Sequence, residues 1–305
     1  MSQSNDAAEE LVIVHMRDGT EREVCNEDVS NEVIKQTKDT KLTLMGILRH
    51  EYFLHVVSLV CFFGVWHWAA SSNVLGSTSA LATPVQVVES LKDLATTTLA
   101  GLTLWEHIWI STYRVLIGFL FSALVGIPMG LFMAFNETFR SIVKPLFDMF
   151  KPMPPLAWIS IAILWFGVGE APKIFIIIIG SFVPAVLNAF SCVQLIEPEL
   201  YDVVRIMGGS RWDEIRKVCI PGALPAITAG LQISMSAAWT SVVAAELVNS
   251  RSGMGFIIVQ GMKLSDPGLI IGGMVVITVI SLLFTQAMEK INRKLSPWQR
   301  DISNL

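Results

Sequence analysis

Five runs of apolar residues organise the chain, at 53–70, 115–135, 174–192, 225–248 and 269–288, and only the fourth holds a charge, Glu246. Each comes near the ~20 residues that a helix needs to cross ~30 Å of hydrocarbon. A sixth run, 155–166, rises only about 18 Å as a helix and is too short to cross alone. It either extends back through Phe147 and Phe150 or forms a broken helix held inside the protein. The pattern predicts an all-α polytopic membrane protein with about six transmembrane helices.

With six spans, fifteen Lys and Arg residues fall on one side and four on the other. The poor side collects Lys92, Lys173, Arg251 and Lys263. The positive-inside bias makes the rich side cytoplasmic, and both termini lie on it. Without the short sixth run the last basic groups would change sides, so the charge pattern favours six.

Residues 1–50 differ in character. They hold ten acidic and six basic groups and therefore the whole net charge of −4, whereas 51–305 balances at sixteen of each. This acidic cytoplasmic extension reads as a β-hairpin, Leu11 to Met16 and Thr20 to Val24 flanking an Asp18-Gly19 turn, or as a solvated tail. It is too polar for a signal peptide. A transmembrane domain, 51–298, and a cytoplasmic tail, 299–305, follow. Between the first two spans Thr83 can cap a surface helix with Pro84 at its first position and Val85, Val88, Leu91 and Leu94 recurring every three residues. Gly126 and Gly130 are small residues four apart that would let helices approach closely.

Over the whole chain only 16% of residues are charged, against ~25% in soluble domains, which argues against an ordinary soluble enzyme. The near-neutral balance supplies no basic stripe for nucleic acid. Cys25, Cys61, Cys192 and Cys219 have no C-x-x-C spacing, and the five histidines form no H-E-x-x-H. Neither a disulfide framework nor a metal site is expected.

The informative loop is 197–224, between the fourth and fifth spans. Pro198 can open a helix in which Leu200, Val203, Val204 and Met207 form one apolar stripe. Gly208-Gly209 ends it, and Ser210 can cap a second short helix with Asp213 at the third position. Pro221-Gly-Ala-Leu-Pro225 stops that helix and launches the next span. An ordered helix–Gly–helix in a loop suggests a docking surface, since loops of this length without a role are uncommon.

Gly208, nine residues, then Val218-Cys219-Ile220-Pro221 resembles the loop signature of ATP-binding-cassette importer permeases, with Asp202-Val203-Val204 where the family pattern has Glu-Ala-Ala. Lys151-Pro-Met-Pro-Pro-Leu-Ala-Trp158, Leu164-Trp-Phe-Gly-Val-Gly-Glu170, Val243-Ala-Ala-Glu-Leu247 and Leu295-Ser-Pro-Trp298 are similar to the taurine, alkanesulfonate and nitrate branch, nearest the taurine type. Ser160 departs from it, where relatives commonly have proline, and so does the long acidic extension. The resemblance implies a type I importer permease domain that is not an enzyme by itself. It also implies a homodimer in a bacterial cytoplasmic (inner) membrane, two ATPase subunits docked beneath and a soluble binding protein delivering a small anion. ATP and Mg would be hydrolysed by the partner, consistent with the absence of a G-x-x-x-x-G-K-[ST] loop from this chain. Coupling would run through Leu200, Asp202, Val203, Val204, Met207, Gly208, Gly209, Ser210 and Pro221, with the 198–217 helices moving as levers.

For the substrate path, Glu246 stands out because an ionisable group within an apolar span usually faces a cavity or a partner. A carboxylate would repel an anion, which favours a structural pair or gate. Arg114 either attracts the anion at the outer entrance or snorkels to the interface. Trp158, Trp239, Thr240 and Ser241 are candidate pore liners, the hydroxyls being able to donate to sulfonate oxygens; packing is the other reading of each. An ion-gradient-driven secondary transporter is the alternative function, but the inverted repeat common in such folds is not visible.

Overall fold

The computed structural model describes residues 11–15, 21–25, 54–72, 81–248 and 250–297. It separates into two units, Met1–Ala69 and Ala70–Leu305. In the first, strands β1 (Leu11–His15) and β2 (Glu21–Cys25) pair antiparallel, Leu11 opposite Cys25 and His15 opposite Glu21. The Asp18-Gly19 turn and the 299–305 tail lie outside the described residues. Helix α1 (Leu54–Ser71) is long and apolar enough to cross a membrane.

The second unit is built on α3 (Leu104–Phe135), α6 (Glu170–Gln194) and α9 (Ile220–Leu247), which pack on one another. All three are apolar along most of their length, and in lipid only a helix satisfies its own backbone donors and acceptors. Small residues set how closely they meet. A Cβ on Gly118 would collide with Ile177, one on Gly126 would lie 3.0 Å from Ala185, and one on Gly130 would strike the Val186 carbonyl. The matching offsets show that α3 and α6 run in the same direction, with Gly126 and Gly130 both at the contact. On the other flank of α6, Gly230 faces Asn188 and Gly180 faces Ser241, so α9 runs the opposite way. The Ser181 hydroxyl donates to Ser122 at 2.8 Å and links α3 to α6 as a polar contact in an apolar bundle.

The sixth apolar run belongs to a broken helix. α4 (Glu137–Phe150) and α5 (Ile159–Phe166) meet through a 3-10 turn, Pro155–Trp158, with a bend of 88° between Glu137–Phe150 and Pro155–Phe166. Pro152, Pro154 and Pro155 remove three backbone donors at the break, so the helix cannot run through it. Asn136 ends α3 and caps α4, accepting from Phe139 N–H at 3.0 Å. α4 reaches α6 through side chains, its Phe147 ring 6.5 Å from that of Phe182.

Helix α2 (Pro84–Thr96) carries a capping box from Thr83 and packs on α11 (Pro267–Leu295). Of the three-residue recurrence, Leu94 is buried and Leu91 half-buried, whereas Val85 and Val88 are exposed and Val87, outside the recurrence, is buried. The glycines of α11 decide which side fits, Gly268 against Ser90 and Gly272 against Leu91. Helix α10 (Met254–Leu264) was not expected from the pattern, being short, preceded by Arg251 and carrying Lys263 in its last turn. With the bent pair taken as one, six helical segments among the described residues are apolar and long enough to span.

Candidate functional site

The loop after α6 folds as α7 (Pro198–Ile206), a single turn α8 (Arg211–Asp213) and a π-helical turn, Glu214–Cys219, that runs on into α9. α7 ends in a Schellman motif: Gly209 N–H donates to Val204 C=O at 2.9 Å and Gly208 N–H to Arg205 C=O at 3.0 Å. Gly208 sits at φ 75, where a side chain is strained, and a Cβ on Gly209 would meet the Val204 side chain 2.5 Å away. Ser210 then accepts from Asp213 N–H while Asp213 accepts from Ser210 N–H at 2.9 Å, a reciprocal capping box. Arg205 ties the two pieces together, donating to Glu214 at 2.8 Å and to Asp202 at 3.3 Å.

Pro221 does not stop the second helix. Ile220 N–H reaches the Ile215 carbonyl five residues back, and Pro221, with no N–H to place, falls where the bonding returns to α-helical register. Arg211–Leu247 is one continuous 37-residue helical stretch.

This segment leaves apolar side chains uncovered. Ile206 is 85% exposed, Met207 81% and Trp212 74%, with Leu200 and Val203 about half exposed beside them. Between it and the α3–α4 corner opens a groove of about 1280 Å³, walled by Phe135, Glu137 and Arg140 on one side and Tyr201, Arg205 and Trp212 on the other. Burial, followed by the nearby Cys219, pushes the Tyr201 hydroxyl up to about 12, so it stays protonated in the wall of the groove.

At the opposite end of the bundle lies a buried polar network. Arg114 is wholly buried, and all five of its N–H donors are engaged. Nε and Nη2 grip Glu170 as a fork, the latter at 2.7 Å, while Nη1 donates to Glu246 at 2.6 Å and to the Ser252 carbonyl at 3.0 Å. Nη2 also donates to Ser252 Oγ at 3.1 Å. Arg114 therefore neither snorkels nor keeps a donor for a passing anion in this conformation. Glu246, equally buried, further accepts from the Ser111 hydroxyl and from Gly255 N–H, both at 2.8 Å. Ser111 Oγ in turn accepts from Met254 N–H. His107 accepts from Gly253 N–H at Nδ1, which leaves Nε2 to donate to the Leu99 carbonyl. The backbone of Gly253, at φ 106, comes so close that a Cβ would collide with the Glu246 carboxylate.

The remaining candidates divide. Trp239 is buried against Phe284 and Ser241 against Gly180, both inside one chain's packing. Thr240 is exposed on α9, and Trp158 is half-buried in the 3-10 turn, which packs on α6 and α9. Sequence reasoning missed Ser111, Glu170, Ser252 and the Gly253 turn as partners of Arg114 and Glu246. Of these, Glu170 alone falls in a motif that the sequence singles out, Leu164-Trp-Phe-Gly-Val-Gly-Glu170.

Residues 126–301 match the family described as the binding-protein-dependent transport system inner membrane component. The chain belongs to that family. Among its relatives, the taurine transport system permease protein TauC of Escherichia coli (strain K12) is 31% identical over 84% of this chain and 93% of its own length. The putative aliphatic sulfonates transport permease protein SsuC of Bacillus subtilis (strain 168) is 32% identical over 77% and 83%. The nitrate import permease protein NrtB of Leptolyngbya laminosa is 29% identical over 77% and 84%. A chain of the methionine ABC transporter MetNI in inward-facing conformations shares the fold, with a TM-score of 0.57 at 18% identity, covering 63% of this chain and 95% of that one. The protein is thus a multi-pass ABC importer permease subunit, not catalytic by itself, and the secondary-transporter alternative falls away.

Proposed function

We propose that this permease imports a small sulfonate-like anion, with taurine as the first candidate, and that its 198–217 helices are where an ATPase subunit drives it. The observation that carries the coupling assignment is the uncovered apolar ridge of Ile206, Met207 and Trp212, on a doubly capped segment that continues without a break into α9. Contiguous exposed apolar surface beside charged side chains is what a protein partner covers. The substrate reading rests on the names of the relatives, taurine and sulfonate among them.

In this reading the ridge end of the bundle and both termini are cytoplasmic, in a bacterial inner membrane. Two copies of the chain enclose the path, and a soluble binding protein delivers the anion to the end where Arg114 and Glu246 lie. ATP and Mg belong to the partner. Trp158 and Thr240 face the path, whereas Arg114, Glu246, Trp239 and Ser241 hold the helices that form it.

The test is uptake of radiolabelled taurine into proteoliposomes carrying this chain with its ATPase and binding protein. Saturable, ATP-dependent import is expected. Assembly with an ATPase but no taurine uptake would overturn the cargo alone, and failure to assemble with any ATPase would overturn the coupling assignment.

A further inference from the structure

Lys151 caps the C-terminus of α4, at the break in the bent helix. Its depth can be read from its neighbours. Phe147, four residues before, packs on Phe182, and Pro155, four residues after, lies 3.2 Å from where a Cβ on Gly180 would stand. Phe182 is the midpoint of α6 and Gly180 is two residues from it. At ~1.5 Å per residue both contacts fall within about 3 Å of that midpoint, roughly 18 Å from either end. With α6 taken as a full span, this brackets Lys151 near the middle of the hydrocarbon layer rather than on the basic-rich side, where the charge tally counts it.

A lysine stem reaches about 6 Å, too short to carry the ammonium from there to an interface that lies ~15 Å away. The side chain is nonetheless exposed on this chain, and no carboxylate pairs with it among the described residues. The nearest acid in sequence, Asp148, is held by Lys144 at 2.6 Å, and the Lys151 charge acts on it only as a weaker, longer-range attraction. A lysine left in lipid at this depth is costly, so its surroundings must be protein or water. The surface of α9 near this level is neutral: Ile233, Ser236 and Thr240 are exposed in a stripe, and Thr240 adjoins the Ser241 that faces Gly180.

We propose that Lys151 is the anion-accepting cation of the permeation path, its ammonium meeting a small oxyanion such as a sulfonate at the waist of the bilayer beside the α9 hydroxyls. This rests on the importer reading above and adds to it the group that receives the anion once Arg114 is committed to Glu170 and Glu246. An ammonium is a compact point charge suited to oxyanions of several shapes.

The experiment uses the whole permease–ATPase–binding-protein complex in proteoliposomes. Lys151→Gln should lower radiolabelled taurine uptake at least about tenfold with the ATPase still bound, and Lys151→Arg should keep at least about a third of it. In a chain with Cys25, Cys61, Cys192 and Cys219 replaced by alanine, Lys151→Cys should react during turnover with a membrane-impermeant, sulfonate-bearing methanethiosulfonate. Wild-type uptake in the Gln variant, an Arg variant as poor as Gln, or an unreactive cysteine would each overturn the proposal. Should the wild-type complex ignore taurine, the cargo reading falls by itself, and the cysteine labelling still decides whether position 151 faces a water-filled path.

Discussion

Arg114 and Glu246 show what a charge needs in order to live inside a span: each is wholly buried, yet between them they engage Glu170, Ser111, Ser252 and Gly255. Removing one partner of a buried pair strands the other, at a cost of about 3–5 kcal/mol. Glu246→Ala should therefore lower the melting temperature of the solubilised permease markedly, and the Arg114→Ala, Glu246→Ala double variant should cost less than the two single changes summed. Additive losses would show that the two side chains do not depend on each other. The pairing could not be read from the chain, because its members lie 132 and 56 residues apart and no local pattern links them. Glu246 alone was legible, as the single charge in a long apolar run.

Short-range chemistry made the elements more transparent. The Gly208 stop and the Ser210–Asp213 cap are local, so their residues and spacing announced them, and the structure forms both. Gly208→Val would force a β-branched residue to φ 75, a strain of about 1–2 kcal/mol. The expected outcome is retained assembly with the ATPase but less taurine moved per ATP hydrolysed, measured in proteoliposomes; unchanged stoichiometry would remove Gly208 from the coupling assignment. Between elements, Gly180 lets α6 touch both Ser241 and Pro155. Gly180→Leu should destabilise the bundle by about 1–3 kcal/mol through overpacking, seen as an earlier thermal transition. Only the Leu91 and Leu94 half of the α2 face was legible, and the existence of α10 was not, since each depends on where α11 offers a glycine or an apolar wall rather than on its own periodicity.

For the molecule as a whole, span number came from length and hydropathy, which are properties of the solvent as much as of the chain. The bent pair was visible only as a run too short to cross, because its geometry follows from three prolines acting together with the packing of Phe147. Partner binding is expected at the opposite extreme, on surface the single chain leaves open. Met207→Asp should abolish copurification with the ATPase while shifting the permease's own stability by no more than about 0.5 kcal/mol, as for other exposed positions. Loss of stability instead would make Met207 part of the fold. The π-helical turn at Glu214–Cys219 has a consequence of phase. It takes one residue more than an α-helical turn over nearly the same angular sweep, so the extra residue is absorbed without turning the segment before it against the span that follows. Deleting Arg216 would close it to an α-turn and leave Trp212 nearly in phase with α9, whereas one residue added to the regular helix of α9 would rotate Trp212 by about 100°. The addition, and not the deletion, would present the ridge in the wrong quadrant, with every docking residue intact and the ATPase unable to engage it.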